Sequence, residues 1–197
     1  MIIKKTKFIH LSIVALFTMN SAIPALATDE CELPTLPGID VSQAKIVKQI
    51  STRDRSIERY IQKAYSDYIK ASSNSQIGIR YSYNKVDLDG DGKAEILLRV
   101  TSSLCGSGGC QISILKLDGQ KYLGIDESLS FGRYIVISHK TNGFKDIIVP
   151  FFVRMERMYL LLQYQGAGKG YQKVKEYTSN LKIKGTAYLS CGTYHDL

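Results

Sequence analysis

Apolar and polar positions follow two rhythms along this chain. Ile57, Tyr60, Ile61, Ala64, Tyr65, Tyr68 and Ile69 recur at intervals of three and four, while Glu58, Arg59, Lys63, Asp67 and Lys70 fill the opposite positions. That spacing predicts an amphipathic helix, opened by a cap at Ser51 or Asp54 and ended by Ser72-Ser73-Asn74-Ser75. A shorter helix is expected from Ser42 to Ile50, behind an extended lead-in at 31–41 that carries two prolines and a glycine.

From Ile77 the period shortens to two. Ile79, Tyr81 and Tyr83 alternate with polar residues, and strands are expected at 77–86, 94–101, 111–117, 121–125, 133–138, 145–153, 157–164, 171–177 and 181–189. Asp118-Gly119, Asn142-Gly143 and the glycine-rich 166–170 separate them as hairpin turns. Short consecutive strands with tight turns imply one antiparallel sheet. Helices first and strands afterwards predict an α+β fold, with N-terminal helices packed on an antiparallel β-sheet. Residues 28–197 fit a single domain, helical over 42–72 and β-rich over 77–190. Tyr159-Leu160-Leu161-Leu162 is apolar on both faces of a strand, which predicts a central position or one beneath the helix.

Residues 1–27 carry a different pattern. Lys4, Lys5 and Lys7 precede an apolar run from Phe8 to Phe17, and Ala25-Leu26-Ala27 offers a small-residue cleavage site. This predicts an export signal whose apolar run is too short to span a bilayer, leaving a soluble periplasmic or secreted chain from about Thr28. With the three signal lysines removed, 26 Lys+Arg fall to 23 against 18 Asp+Glu. The balance is mildly basic and dispersed, which excludes a nucleic-acid footprint. Export also places Cys31, Cys105, Cys110 and Cys191 in an oxidising compartment, where disulfides are expected.

The candidate chemistry lies between Val86 and Gln111. Asp87, Asp89 and Asp91 alternate, Gly92 follows, and Glu95 comes four residues after Asp91. Counted as a calcium loop, Asp87, Asp89 and Asp91 take positions one, three and five, the Lys93 carbonyl position seven and Glu95 position nine. Leu98 stands at position twelve, where a helical EF-hand needs a bidentate carboxylate, and the flanks read as strands. Four carboxylates within nine residues repel one another unless a cation neutralises them, and hard oxygen donors favour Ca²⁺. A structural Ca²⁺ is therefore expected on Asp87, Asp89, Asp91, Lys93 and Glu95.

Cys105 and Cys110 bracket Gly106-Ser107-Gly108-Gly109, a turn that can bring them within disulfide range. Three pairings of four cysteines are possible; proximity favours Cys105–Cys110, leaving Cys31 with Cys191. Ser107 and Gly108 form the tip of that hairpin and are candidate binding residues. No catalytic signature is present: Cys-x4-Cys is neither a thiol oxidoreductase motif nor a zinc pair, and Ser107 lacks the glycine of a nucleophile elbow. His139, His195, Glu127 and Glu156 have no partner nominated by spacing.

The acidic turn between strands resembles the calcium loops of FG-GAP and VCBS-type repeats, although it occurs once here and a propeller is not expected. VDLDGDGKAEILL, CGSGGC, NGFKDIIV and GKGYQKV together resemble a group of exported bacterial proteins of unknown function. The resemblance implies fold and compartment and carries no activity. The expectation is an exported, calcium-stabilised binding or structural module whose partner is an unknown protein or a cell-wall component. The alternative is an inhibitor or immunity protein that blocks a cell-wall hydrolase with the Ser107–Gly108 hairpin.

Overall fold

The computed structural model describes residues 33, 36–72, 78–103, 105, 110–130, 134–153, 156–189 and 194–197. The export signal expected at 1–27 lies outside them. Strands β1 (Ile39–Ile46), β10 (Leu181–Tyr188), β6 (Tyr134–Thr141), β7 (Phe144–Val153), β8 (Glu156–Tyr164) and β9 (Tyr171–Tyr177) form a six-stranded sheet in that order. Strands β11 (His195–Asp196), β2 (Arg80–Val86), β3 (Glu95–Thr101), β4 (Cys110–Asp118) and β5 (Lys121–Ser130) form a second sheet. Two short helices, α1 (Arg55–Ala64) and α2 (Ser66–Ser72), precede β2.

The α+β expectation is overturned. The described residues are mostly strand, with only two short helices, and the strands form two sheets instead of one. Part of the difference lies at Ser42–Ile50, which is not helical: most of it belongs to β1, an edge strand running parallel to β10. Ile39, Val41 and Ile46 are β-branched, and the strand pairs with Leu181–Ala187 at the far end of the sequence, beyond the reach of any local pattern. The predicted long helix also divides, at Tyr65, and Ala64 on its supposed apolar face is exposed. Asp54 is the cap, accepting from the Ser56 and Ile57 amides at 2.9 and 3.3 Å.

Strand alternation explains the layers. Leu97, Ile112 and Ile114 of one sheet meet Tyr134, Ile147, Val149 and Leu160 of the other in a shared buried cluster, so the sheets pack face to face. Tyr81, Tyr83, Ile96 and Leu98 point the opposite way and bury Ile57, Ile61 and Tyr65. Tyr65 reaches through to Ser113, with their oxygens 2.5 Å apart. The outer face of the six-stranded sheet buries Ile135, Ile148, Tyr159 and Ile183 with Leu33, Leu36 and Ile39. Tyr159 and Leu161 belong to this outer cluster while Leu160 and Leu162 face inward; β8 is thus an interior strand, but not one beneath the helices.

Candidate metal centre

Val86 and Glu95 are the last cross-strand pair of β2 and β3, so the acidic residues occupy the loop that joins two adjacent antiparallel strands. Aspartate side chains fold the loop on itself. Asp87 Oδ1 accepts from the Gly90 amide at 2.6 Å and its Oδ2 from Gly92 at 3.3 Å. Asp89 Oδ1 accepts from Asp91 N at 3.0 Å, and Asp91 Oδ1 from Lys93 N at 2.7 Å. These local bonds are why Asp is favoured in such turns. Gly90 and Gly92 have φ of 81° and 83°, which side chains resist, and a Cβ at Gly90 would collide with the Lys140 ammonium.

Asp87, Asp89 and Glu95 each present a carboxylate oxygen within 4.8 Å of the others, a group that can hold a metal ion. Glu95 is the buried member, 1% exposed; its Oε2 accepts from Leu88 N at 2.8 Å while Oε1 has no hydrogen-bond partner. Burial raises the Glu95 pKa, the Asp89 charge adds to that, and the Leu88 amide and Lys116 oppose it. Asp91 is outside the three-acid group, with its side chain 39% exposed. Its pKa is lowered, first by the Lys93 amide and then by Lys116. Lys93 enters the loop's hydrogen bonding through its amide nitrogen.

Lys116 was not foreseen as part of this site. One step beyond the Ile96–Leu115 pair of β3 and β4, it faces the loop. Its ammonium donates to Asp89 Oδ2 and to Asp91 Oδ2 at 3.2 Å, and lies 3.7 Å from Glu95 Oε1. Those contacts, led by Asp89, raise the Lys116 pKa. The repulsion among the acids thus already has one internal counter-ion. The signal for it was a single lysine breaking the apolar run ISILKLD.

Two further lysines tie the loop to the other sheet. Lys140 Nζ on β6 donates to Asp89 O and Lys145 Nζ on β7 to Asp87 O, both at 2.7 Å. The Lys145 amide donates to Leu88 O at 2.8 Å, and the Leu88 side chain is fully buried between the sheets.

Cys105 and Cys110 are joined as a disulfide with Cα atoms 4.7 Å apart. Cys31, Cys191, Ser107 and Gly108 lie outside the described residues, as do the side chains of Glu127 and Glu156. His195 is not at a frayed end: β11 pairs with β2, and its buried ring bonds Ile50 O at 3.0 Å and lies 5.0 Å from the Tyr81 ring. His139 Nδ1 contacts the buried Asp146 Oδ2 at 2.7 Å, an oxygen that also accepts from Gln163 at 2.9 Å. No helix among the described residues is long and apolar enough to cross a membrane. Compared with family models, curated proteins and solved structures, the chain finds no match.

Proposed function

We propose that the β2–β3 loop holds a calcium ion on Asp87, Asp89, Glu95 and the Lys93 carbonyl, and that the ion locks an exported binding or structural module. The observation that carries this reading is Glu95, a buried carboxylate whose Oε1 accepts no hydrogen bond and has only the Lys116 ammonium at 3.7 Å, beside two half-buried aspartates. Burying a charged group without a full set of partners is costly. A doubly charged hard cation supplies what the single Lys116 ammonium offers only in part. All-oxygen donors select calcium over zinc or copper. Asp91 stays with Lys116, which swings outward as the ion enters; its side chain is 35% exposed and free to do so.

The role is mechanical. Through Leu88, Lys140 and Lys145 the loop spans from one sheet to the other, so fixing it restrains both. Affinity on the order of 0.1–1 mM suits an extracellular module.

Melting in chelator and in calcium tests the reading. At a hundredfold excess over Kd, binding adds about 2.7 kcal/mol, and Tm rises by roughly 5–10 °C for a chain of this size. An unchanged Tm at that excess, about 10–100 mM calcium, would remove the ion from the account.

A further inference from the structure

The inner face of the six-stranded sheet changes character towards its β1 edge. Tyr134, Val136, Ile147 and Leu160 on that face are apolar because the second sheet covers them. On β1 and β10 the equivalent positions are Gln43 and Lys45, paired in register with Lys184 and Thr186. Ala44, Ile183 and Ala187 between them turn to the outer cluster, so the polar residues share the inward side. Here the sheet extends past its cover, and a cleft of about 400 Å³ opens with Val86 and Val136 among its lining.

The cleft is cationic. Lys45, Lys145 and Lys184 line it, and no acidic side chain among the described residues does. Lys45 and Lys184 carry no ion pair among the described residues and are exposed. Lys145 is held in place by its bond to Asp87 O, so one ammonium is oriented in advance. Three positive groups around a concave, partly apolar floor raise the local concentration of anions.

We propose that this cleft binds a phosphate ester carried on a small polyol. Lysine ammonium groups act as point charges that suit phosphate, and three of them line the cleft. The volume falls within the usual range for small-molecule sites and suits an ester of about sugar-phosphate size. The hydroxyls of Ser138 and Thr186 and the Gln43 amide supply partners for polyol oxygens. The same ester could come free in solution or as a lipid headgroup.

Calorimetric titration of the purified chain with glycerol 3-phosphate, with glycerol as the uncharged control, tests the proposal, run without calcium to avoid its phosphate salts. Saturable binding to the ester alone is expected, weakened at least about tenfold in Lys45→Glu/Lys184→Glu and by added salt. Lys121→Glu/Lys169→Glu, at two exposed turns outside the cleft, changes net charge by the same amount and should bind as the parent does. Vesicles of phosphatidylglycerol against phosphatidylcholine distinguish the source: vesicle binding lost in the double variant assigns a headgroup, and ester binding without it assigns a soluble ligand. No saturation by about 10 mM ester with no vesicle binding, or binding unchanged in the double variant while its melting temperature is intact, overturns the proposal.

Discussion

Lys116 on β4 and Asp89 in the β2–β3 loop are bonded ammonium to carboxylate, in the space between Asp91 and Glu95. The loop's acids and the strand beside it thus form one electrostatic unit. An incoming cation has to compete with this lysine. Replacing Lys116 with Met should lower the melting temperature in chelator, because three acids lose their shared counter-ion. The same change should tighten calcium binding about tenfold, roughly 1.4 kcal/mol. Melting and calorimetry on one preparation read both effects; equal loss with and without calcium would show that Lys116 does not compete.

Glu95 and Asp91 should separate cleanly. Glu95→Gln keeps the shape but removes the buried charge, and the calcium-induced rise in melting temperature is expected to vanish. Asp91→Asn touches an acid outside the three-residue group and should retain most of that rise. Paired melts of the two variants, with and without calcium, check the ligand set.

Leu88 couples the loop to the core. Leu88→Ala should cost about 2–5 kcal/mol, as expected for a fully buried leucine. It should also weaken calcium binding, since the loop then loses its anchor. Ile61→Ala, on the buried face of α1, should cost a similar amount and leave calcium binding unchanged. Denaturant unfolding together with calorimetry compares the pair.

The tyrosines predict an alkaline limit. Burial first, then the hydrogen bond to Glu58 at 2.8 Å, pushes the Tyr81 phenol up to about 12. A phenol whose pKa is raised on folding contributes stability below its unfolded value near 10, and that contribution is lost as pH climbs through the folded value. Phenolate absorbance should therefore show a late-ionising class that appears with unfolding. Tyr81→Phe should diminish that class.

Removing the Cys105–Cys110 bridge by double substitution to serine should cost about 2 kcal/mol, the chain-entropy value for so short a loop. Chemical denaturation under oxidising and reducing conditions measures it. The response to calcium should persist, because the pair contributes nothing to the acidic loop.

What could be read from the sequence was local. The β2–β3 loop carries its own determinants: alternating aspartates that accept from amides a few residues on, glycines at positive φ, and strand residues on either side. The Asn142-Gly143 hairpin is legible for the same reason, both residues having positive φ. Nothing local announces that Gln43 lies beside Lys184, so the part of β1 from Ser42 onward was expected as a helix. Nor does anything near Asp87 announce Lys145, whose ammonium caps the Asp87 carbonyl from the other sheet. The acids were visible as a group, but Asp91 left it for Lys116, a partner that only the β3–β4 register brings across.

Calorimetric titration of the chelator-stripped chain with calcium is the most direct test of the metal site. One ion per chain is expected, with Kd on the order of 0.1–1 mM, and Glu95→Gln should abolish the heat. Absence of saturation by about 10 mM calcium, or the same isotherm with Glu95→Gln, would contradict the account.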